Sequence, residues 1–157
     1  MGAGWQSNQY VTEVGMGTAF RFDLPSEVAG HTVTKAVLRL HVDSVPTDFV
    51  VRPELRVNAF ASAWDPNALT WNIWKDLPCQ TTGEVRVPAP SSLGPMDFDV
   101  TTIVASWASG AWSNDGLKVW VDKPGPGQWG RIAGTWFRSL TYNDSPTERP
   151  QLVVDVQ

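Results

Sequence analysis

The stretch Phe98 to Val121, FDVTTIVASWASGAWSNDGLKVWV, decides how the chain is read, because its apolar period changes halfway along. After Asp99, a residue type that caps helices well, Val100, Ile103, Val104 and Trp107 recur at i, i+3, i+4 and i+7. That spacing predicts a helix of about two turns, halted at Ser109-Gly110, with Ile103 and Trp107 facing inward and the helix plugging one end of the fold. From Gly116 onward the period is two. Leu117, Val119 and Val121 share one face, and Lys118, Trp120 and Asp122 share the other, as in a half-buried strand.

Period two governs the rest of the chain. Ala36, Leu38, Leu40 and Val42 alternate with Lys35, Arg39 and His41. Phe20, Phe22 and Leu24 alternate with Arg21 and Asp23, and Leu55, Val57 and Ala59 with Arg56 and Asn58. Further strands are predicted at Gln9–Val14, Glu84–Val87, Leu117–Asp122, Arg131–Phe137 and Gln151–Val156. Pro, Gly, Asn and Asp interrupt the pattern about every ten residues, which is the signature of an all-β, jelly-roll-like antiparallel β-sandwich with one short helix. The Pro-rich loops Pro88–Pro95 and Pro124–Pro126 are too short to be linkers, so residues 1–157 read as one domain.

Composition narrows the partners. The formal net charge is −4 with both signs interspersed, which leaves no basic stripe to follow a phosphate backbone. Apolar runs such as Ala36–Leu40, broken by Arg39, are far shorter than the roughly 20 residues a membrane-spanning helix needs. Neither nucleic acid nor a membrane span is therefore expected. Cys79 is the single cysteine, so the fold rests on its core and not on intrachain disulfides. Met1 to Val14 lacks the basic start and apolar middle of a signal peptide. The expectation is either a leader already removed or assembly inside the producing cell.

Several segments together carry a resemblance. They begin with Ala19-Phe20-Arg21-Phe22-Asp23-Leu24-Pro25, Thr34-Lys35-Ala36-Val37-Leu38-Arg39-Leu40 and Trp64 followed by Leu69-Thr70-Trp71-Asn72. Downstream come Asp99-Val100-Thr101, Val104, Trp107, Gly110, Asn114, Gly116-Leu117 and the closing Arg149-Pro150-Gln151-Leu152-Val153-Val154. In this order, over nearly the whole chain, they resemble a DNRLRE domain, the group that includes carbohydrate-binding module family 96. The resemblance implies a jelly-roll sandwich without catalysis. Such domains occur as accessory modules of extracellular polysaccharide-active enzymes, in surface proteins and in phage tail proteins.

Two departures from that pattern stand out. Only Gly4-Trp5-Gln6-Ser7-Asn8-Gln9-Tyr10-Val11 resembles the family's opening turn, so its usual first strand is expected to be missing and a neighbouring edge unpaired. The family's F-x-S-x-E stands here as Phe137-Arg138-Ser139-Leu140-Thr141, without the Glu.

The candidate site lies on the outer face of a hairpin from Leu117 to Phe137. Trp120 shares a face with Lys118 and Asp122, Trp136 lies opposite an inward Phe137, and Trp129 sits in the loop between. Together they make an aromatic patch on which the flat C–H faces of sugar rings stack, with Arg131, Asp122 and Gln128 to bond hydroxyls. Trp64, Trp71 and Trp107 read as core or loop-anchoring residues.

No catalytic constellation accompanies the patch. Asp97/Asp99 and Asp48/Glu54 are near neighbours in sequence, but glycoside hydrolysis needs carboxylates held at a defined separation across a cleft. His31 and His41 have no partner at metal-ligand spacing, and no G-x-S-x-G occurs. A structural Ca²⁺ would suit loops of this kind, although no motif specifies one. Two readings follow. One is a non-catalytic module recognising a polysaccharide or glycan surface, extracellular or on the cell surface. The other is a structural or attachment protein held by other subunits of an assembled particle, such as a virion capsid or tail.

Overall fold

The computed structural model describes residues 2–6, 14–45, 54–121, 132–139 and 145–157, with side chains described from Gly17 onward and, in the strand 132–137, for Thr135 and Phe137. Among the described residues the elements are, in order, β1 Gly2–Gln6, β2 Val14–Phe20, β3 Val33–Ser44, β4 Glu54–Ala59, α1 Trp71–Asp76, β5 Val85–Pro88, β6 Gly94–Asp99, α2 Thr101–Ala108, β7 Leu117–Val121, β8 Ile132–Phe137, a 3₁₀ turn Pro146–Glu148 and β9 Gln151–Val156. Every pairing is antiparallel, in the order β5-β4-β7-β2-β1-β8-β3-β6, with β9 also on β3. One layer is β5-β4-β7-β2 and the other is β8, β3, β6 and β9. The all-β antiparallel sandwich expected from the alternating period is thus the fold.

The inward residues are those the period selected. Ala36, Leu38, Leu40 and Val42 of β3, Phe98 of β6, Leu55, Val57 and Ala59 of β4, and Leu117, Val119 and Val121 of β7 form one buried cluster. Phe20 ends β2, while Phe22 and Leu24 are half-buried beyond it. Phe22 O accepts from Asn114 Nδ2 at 2.8 Å, and Pro25 has no N–H to give a ladder. These take the place of strand pairing there. Strand β6 was not predicted, because Gly94 and Pro95 disguise its start.

The predicted helix is α2. It buries Ile103, Val104 and Trp107 against the core and stops at Ser109-Gly110. Its start shows what Asp99-Val100-Thr101 does. The Asp99 carboxylate accepts from Thr101 N at 3.0 Å and from Thr101 Oγ1 at 2.6 Å, which holds its carboxyl below the usual range. Val100 N then donates to Ala36 O and Ala36 N to Thr101 Oγ1, both at 2.9 Å, so the helix start is tied to the middle of β3.

The Asn114-x-Gly116-Leu117 stretch has a similar explanation. Gly116 has φ +93°, and a Cβ there would lie 2.3 Å from Phe20 O. Only glycine lets β7 start this close to β2. Gly116→Ala is expected to cost about 1–3 kcal/mol through strain and displaced backbone, read from urea unfolding, and a neutral result would contradict this close approach.

Strand β1 pairs with β2 on one side and β8 on the other, so it joins the layers. The predicted strand Gln9–Val14 lies outside the described residues except for Val14, which opens β2. Thr141, which stands where the family pattern has its Glu, lies outside the described residues. The Arg138 guanidinium contacts Asp43 at 3.2 Å and also Glu148, holding the 3₁₀ turn against β3. His41 stands 3.6 Å from the same Glu148, and burial and Arg138 lower its pKa.

Candidate functional site: an aromatic row on the outer sheet face

Strand pairing places Trp120 across from Gly17 of β2 and Arg56 of β4, and Lys118 across from Ala19 and Asn58. Period two directs these side chains away from the core. In a bare sheet they would meet water. The segment between β4 and β5 prevents that for Lys118, because it folds back over this face as α1.

Helix α1 is short and locally specified. Thr70 caps it, its hydroxyl oxygen accepting from Ile73 N at 3.4 Å. Trp71 and Trp74, three apart, lie on neighbouring positions of the helix surface and stack at 5.0 Å between ring centroids with 23° between planes. Only Trp74 of this helix is buried. Its ring lies on Gly17, where an added Cβ would come within 1.9 Å of it. Thr70-Trp71-Asn72-Ile73-Trp74 carries this helix in its cap and its i, i+3 tryptophans, but six residues are too few for the apolar period to register.

Lys118 lies underneath, only 7% exposed. Its ammonium donates to Trp74 O at 2.9 Å and to Lys75 O and Leu77 O at 3.4 Å, adding a cationic donor to the carbonyls at the helix C-terminus. It also stands 4.2 Å from the centre of the Trp74 ring and 5.9 Å from that of Trp120. Burial lowers its pKa, against the opposing charges of Cys79 and Asp76. Burial raises the pKa of the Cys79 thiol. Lys118 thus lies on the outer face it was expected to share with Trp120, but the chain covers it there with its own α1. Trp120 is half-buried at the margin of this cover.

The hairpin reading is also corrected. β7 pairs with β2 and β4, whereas β8 pairs with β1 and β3, so β2 and β1 intervene. Trp136 lies across from Gly2 and Ser44, and three strand spacings of ~4.8 Å separate its strand from that of Trp120. A two-residue turn would have forced adjacency. Residues 122–131 are numerous enough to connect strands that are not neighbours. Asp122, Gln128, Trp129 and Arg131 lie outside the described residues. Of the expected site residues, Trp120 is the one whose side chain is described, and it shares the Lys118 ammonium with Trp74.

Trp64 does act as a loop anchor, its indole Nε1 donating to Asp115 O at 2.6 Å while its ring tilts against Phe60. Asp97 is held by Arg39 in a two-point pair at 2.7 Å, which lowers its pKa. Among the described residues no three His, Cys, Asp or Glu side chains gather as metal ligands do, and no helix is long and apolar enough to cross a membrane.

Gly17→Ala tests the seating of Trp74. The new methyl has to displace a buried indole, so a loss of about 1–3 kcal/mol in urea unfolding is expected, with an altered near-UV tryptophan signal. An unchanged near-UV spectrum would mean that Trp74 does not rest on β2. No protein family, curated protein or solved structure matches the chain.

Proposed function

We propose that this protein is a DNRLRE-like, non-catalytic module that recognises carbohydrate on an extracellular or cell-surface polysaccharide. One observation carries the reading: Trp71, Trp74 and Trp120 gather on the outer face of the β4-β7-β2 layer, with Trp71 40% exposed and Trp120 half-buried. Indole rings held on a rigid sheet present flat apolar faces to the C–H faces of sugars, and rigid rings lose little entropy on binding. The paired carboxylates of β6, in the other layer, fit a non-catalytic reading. Asp97 is engaged by Arg39 and Asp99 by Thr101, and both pKa values are lowered, which is opposite to what a general acid requires.

The test is size-exclusion chromatography with light scattering on the purified chain, followed by a glycan array on the species that elutes. A monomer that binds glycan is the expected result. An obligate oligomer that binds none would overturn the proposal in favour of a structural or attachment protein of an assembled particle.

A further inference from the structure

Among the described residues three strands, β5, β6 and β9, have a strand partner on one side only. Two of these edges carry residues that discourage a further strand. β5 is four residues long with Arg86 and Pro88, and β6 opens on Gly94-Pro95 and carries Asp97 and Asp99. β9, Gln151-Leu152-Val153-Val154-Asp155-Val156, has neither Pro nor Gly and a single charge, and it exposes 45% of Val153 and 40% of Val156. Its inward Leu152 and Val154 stay half-buried, whereas Leu38 and Ala36 across from them are fully buried. The core is uncovered at this rim.

The backbone sets which groups face that edge. Gln157 N donates to Thr32 O at 2.9 Å and Thr32 N to Gln157 O at 3.3 Å, while Thr34 Oγ1 donates to Asp155 O at 3.1 Å. Odd-numbered residues of β9 thus turn their N–H and C=O toward β3, and Leu152, Val154 and Val156 turn theirs outward. An added strand has to bond to these groups while keeping inward side chains opposite inward ones. Antiparallel pairing of β9 with β9 of another copy, centred on Val153, does both. Leu152 of each copy then exchanges backbone bonds with Val154 of the other, and Val153 meets its own counterpart in the close, non-hydrogen-bonded position. Gln151 faces Asp155, so the outer row across the joint reads Asp97, Arg39, Gln151 from one copy and Asp155, Lys35 from the other. No like charges stand opposite each other. Gln151 Nε2 already donates to Thr147 O at 3.4 Å, and its second N–H suits a carboxylate. Centring on Val154 instead sets Val153 against Asp155, and centring on Leu152 shortens the overlap.

From this match we infer that β9 is a self-pairing edge, through which two copies of the chain join across a two-fold axis into one continuous sheet. A joint of one strand per copy falls short of the ~1,200 Å² at which standard interfaces begin, so the pair forms at high concentration and separates at the dilution of a sizing column. The inference is independent of the carbohydrate reading, whose residues lie on the other layer.

Analytical ultracentrifugation of the full chain from about 10 μM to about 1 mM tests this, with amide hydrogen exchange at both ends of that range. The mass is expected to rise toward that of a dimer, and exchange at the Leu152 and Val154 amides to slow as it does. Val153→Lys, which sets two ammonium groups face to face, is expected to weaken pairing roughly tenfold or more. Gln151→Glu, which faces Asp155 of the other copy, is expected to weaken it severalfold, and Gln151→Lys to strengthen it. Folding favours the opposite order, because Arg39 stands beside Gln151 within one copy, so thermal unfolding at low concentration separates the two effects. Should Val153→Lys fail to fold, the Gln151 variants still decide. A mass that stays monomeric to about 1 mM leaves the edge to a strand of another protein and overturns the inference, as does dimerisation that Val153→Lys or Gln151→Glu leaves undiminished.

Discussion

Trp107→Ala is expected to lower stability by about 3–5 kcal/mol, the range for removing a large aromatic from a close-packed core. Trp107 is 6% exposed and sits in the cluster where α2 closes on β3. The surrounding atoms cannot collapse into the space freely, because Val100 N and Thr101 Oγ1 tie the start of the helix to Ala36. A cavity should therefore remain. The indole Nε1 is buried with no hydrogen-bond partner among the described residues. Replacing the ring by one without an N–H removes that liability, so Trp107→Phe should cost clearly less than Trp107→Ala. Urea unfolding of both variants decides the matter. An alanine loss below about 1 kcal/mol would contradict the inward placement of this side chain.

The second large effect belongs to Lys118. Lys118→Ala is expected to cost about 2–4 kcal/mol, because three carbonyls at the end of α1 lose a donor and the Trp74 ring loses both a cation and the aliphatic stem packed near it. Lys118→Met retains the stem and should cost roughly half as much. Burying an ammonium is itself unfavourable, which is why burial lowers its pKa. The sign for pH follows from that direction. Between the lowered folded value and the unfolded value of about 10.4 the unfolded chain holds more protons, so this group makes the protein more stable as pH rises through that window and contributes no pH dependence below it. Subtracting the Lys118→Met curve from the parent curve isolates this group from other alkaline titrations. A difference that falls with rising pH would refute the buried, desolvated placement.

Removal of Lys118 should also loosen α1, and with it the stacked Trp71 and Trp74. The consequence is specific: Lys118→Met is expected to blue- or red-shift tryptophan emission without altering the antiparallel core, because Leu117 and Val119 on the other face of β7 keep their burial.

The residues that revealed the fold from sequence did so through local periods. Ala36, Leu38, Leu40 and Val42 alternate along a single strand, and Ile103, Val104 and Trp107 recur along a single helix, so each pattern is complete within its own segment. Burial then follows from the period, because whichever layer packs against the apolar face, that face turns inward. The start of α2 was legible for the same reason, as Asp99 and Thr101 bond across two residues. The site was not legible in this way. Lys118 looked outward by period and is outward, yet the residues that bury it are 41 to 44 positions away, in a helix too short to announce itself. Trp120 and Trp136 looked adjacent because consecutive strands usually pair, yet β2 and β1 stand between them. The sequence by itself determined which face of each strand is apolar and where the helix after Asp99 begins, since these depend on neighbours along the chain. Only the tertiary structure decided which strands lie side by side and what covers the outer face, because those choices are made by contacts between distant segments: Gly17 opposite Trp120, and Trp74 resting on Gly17 with the Lys118 ammonium beneath it.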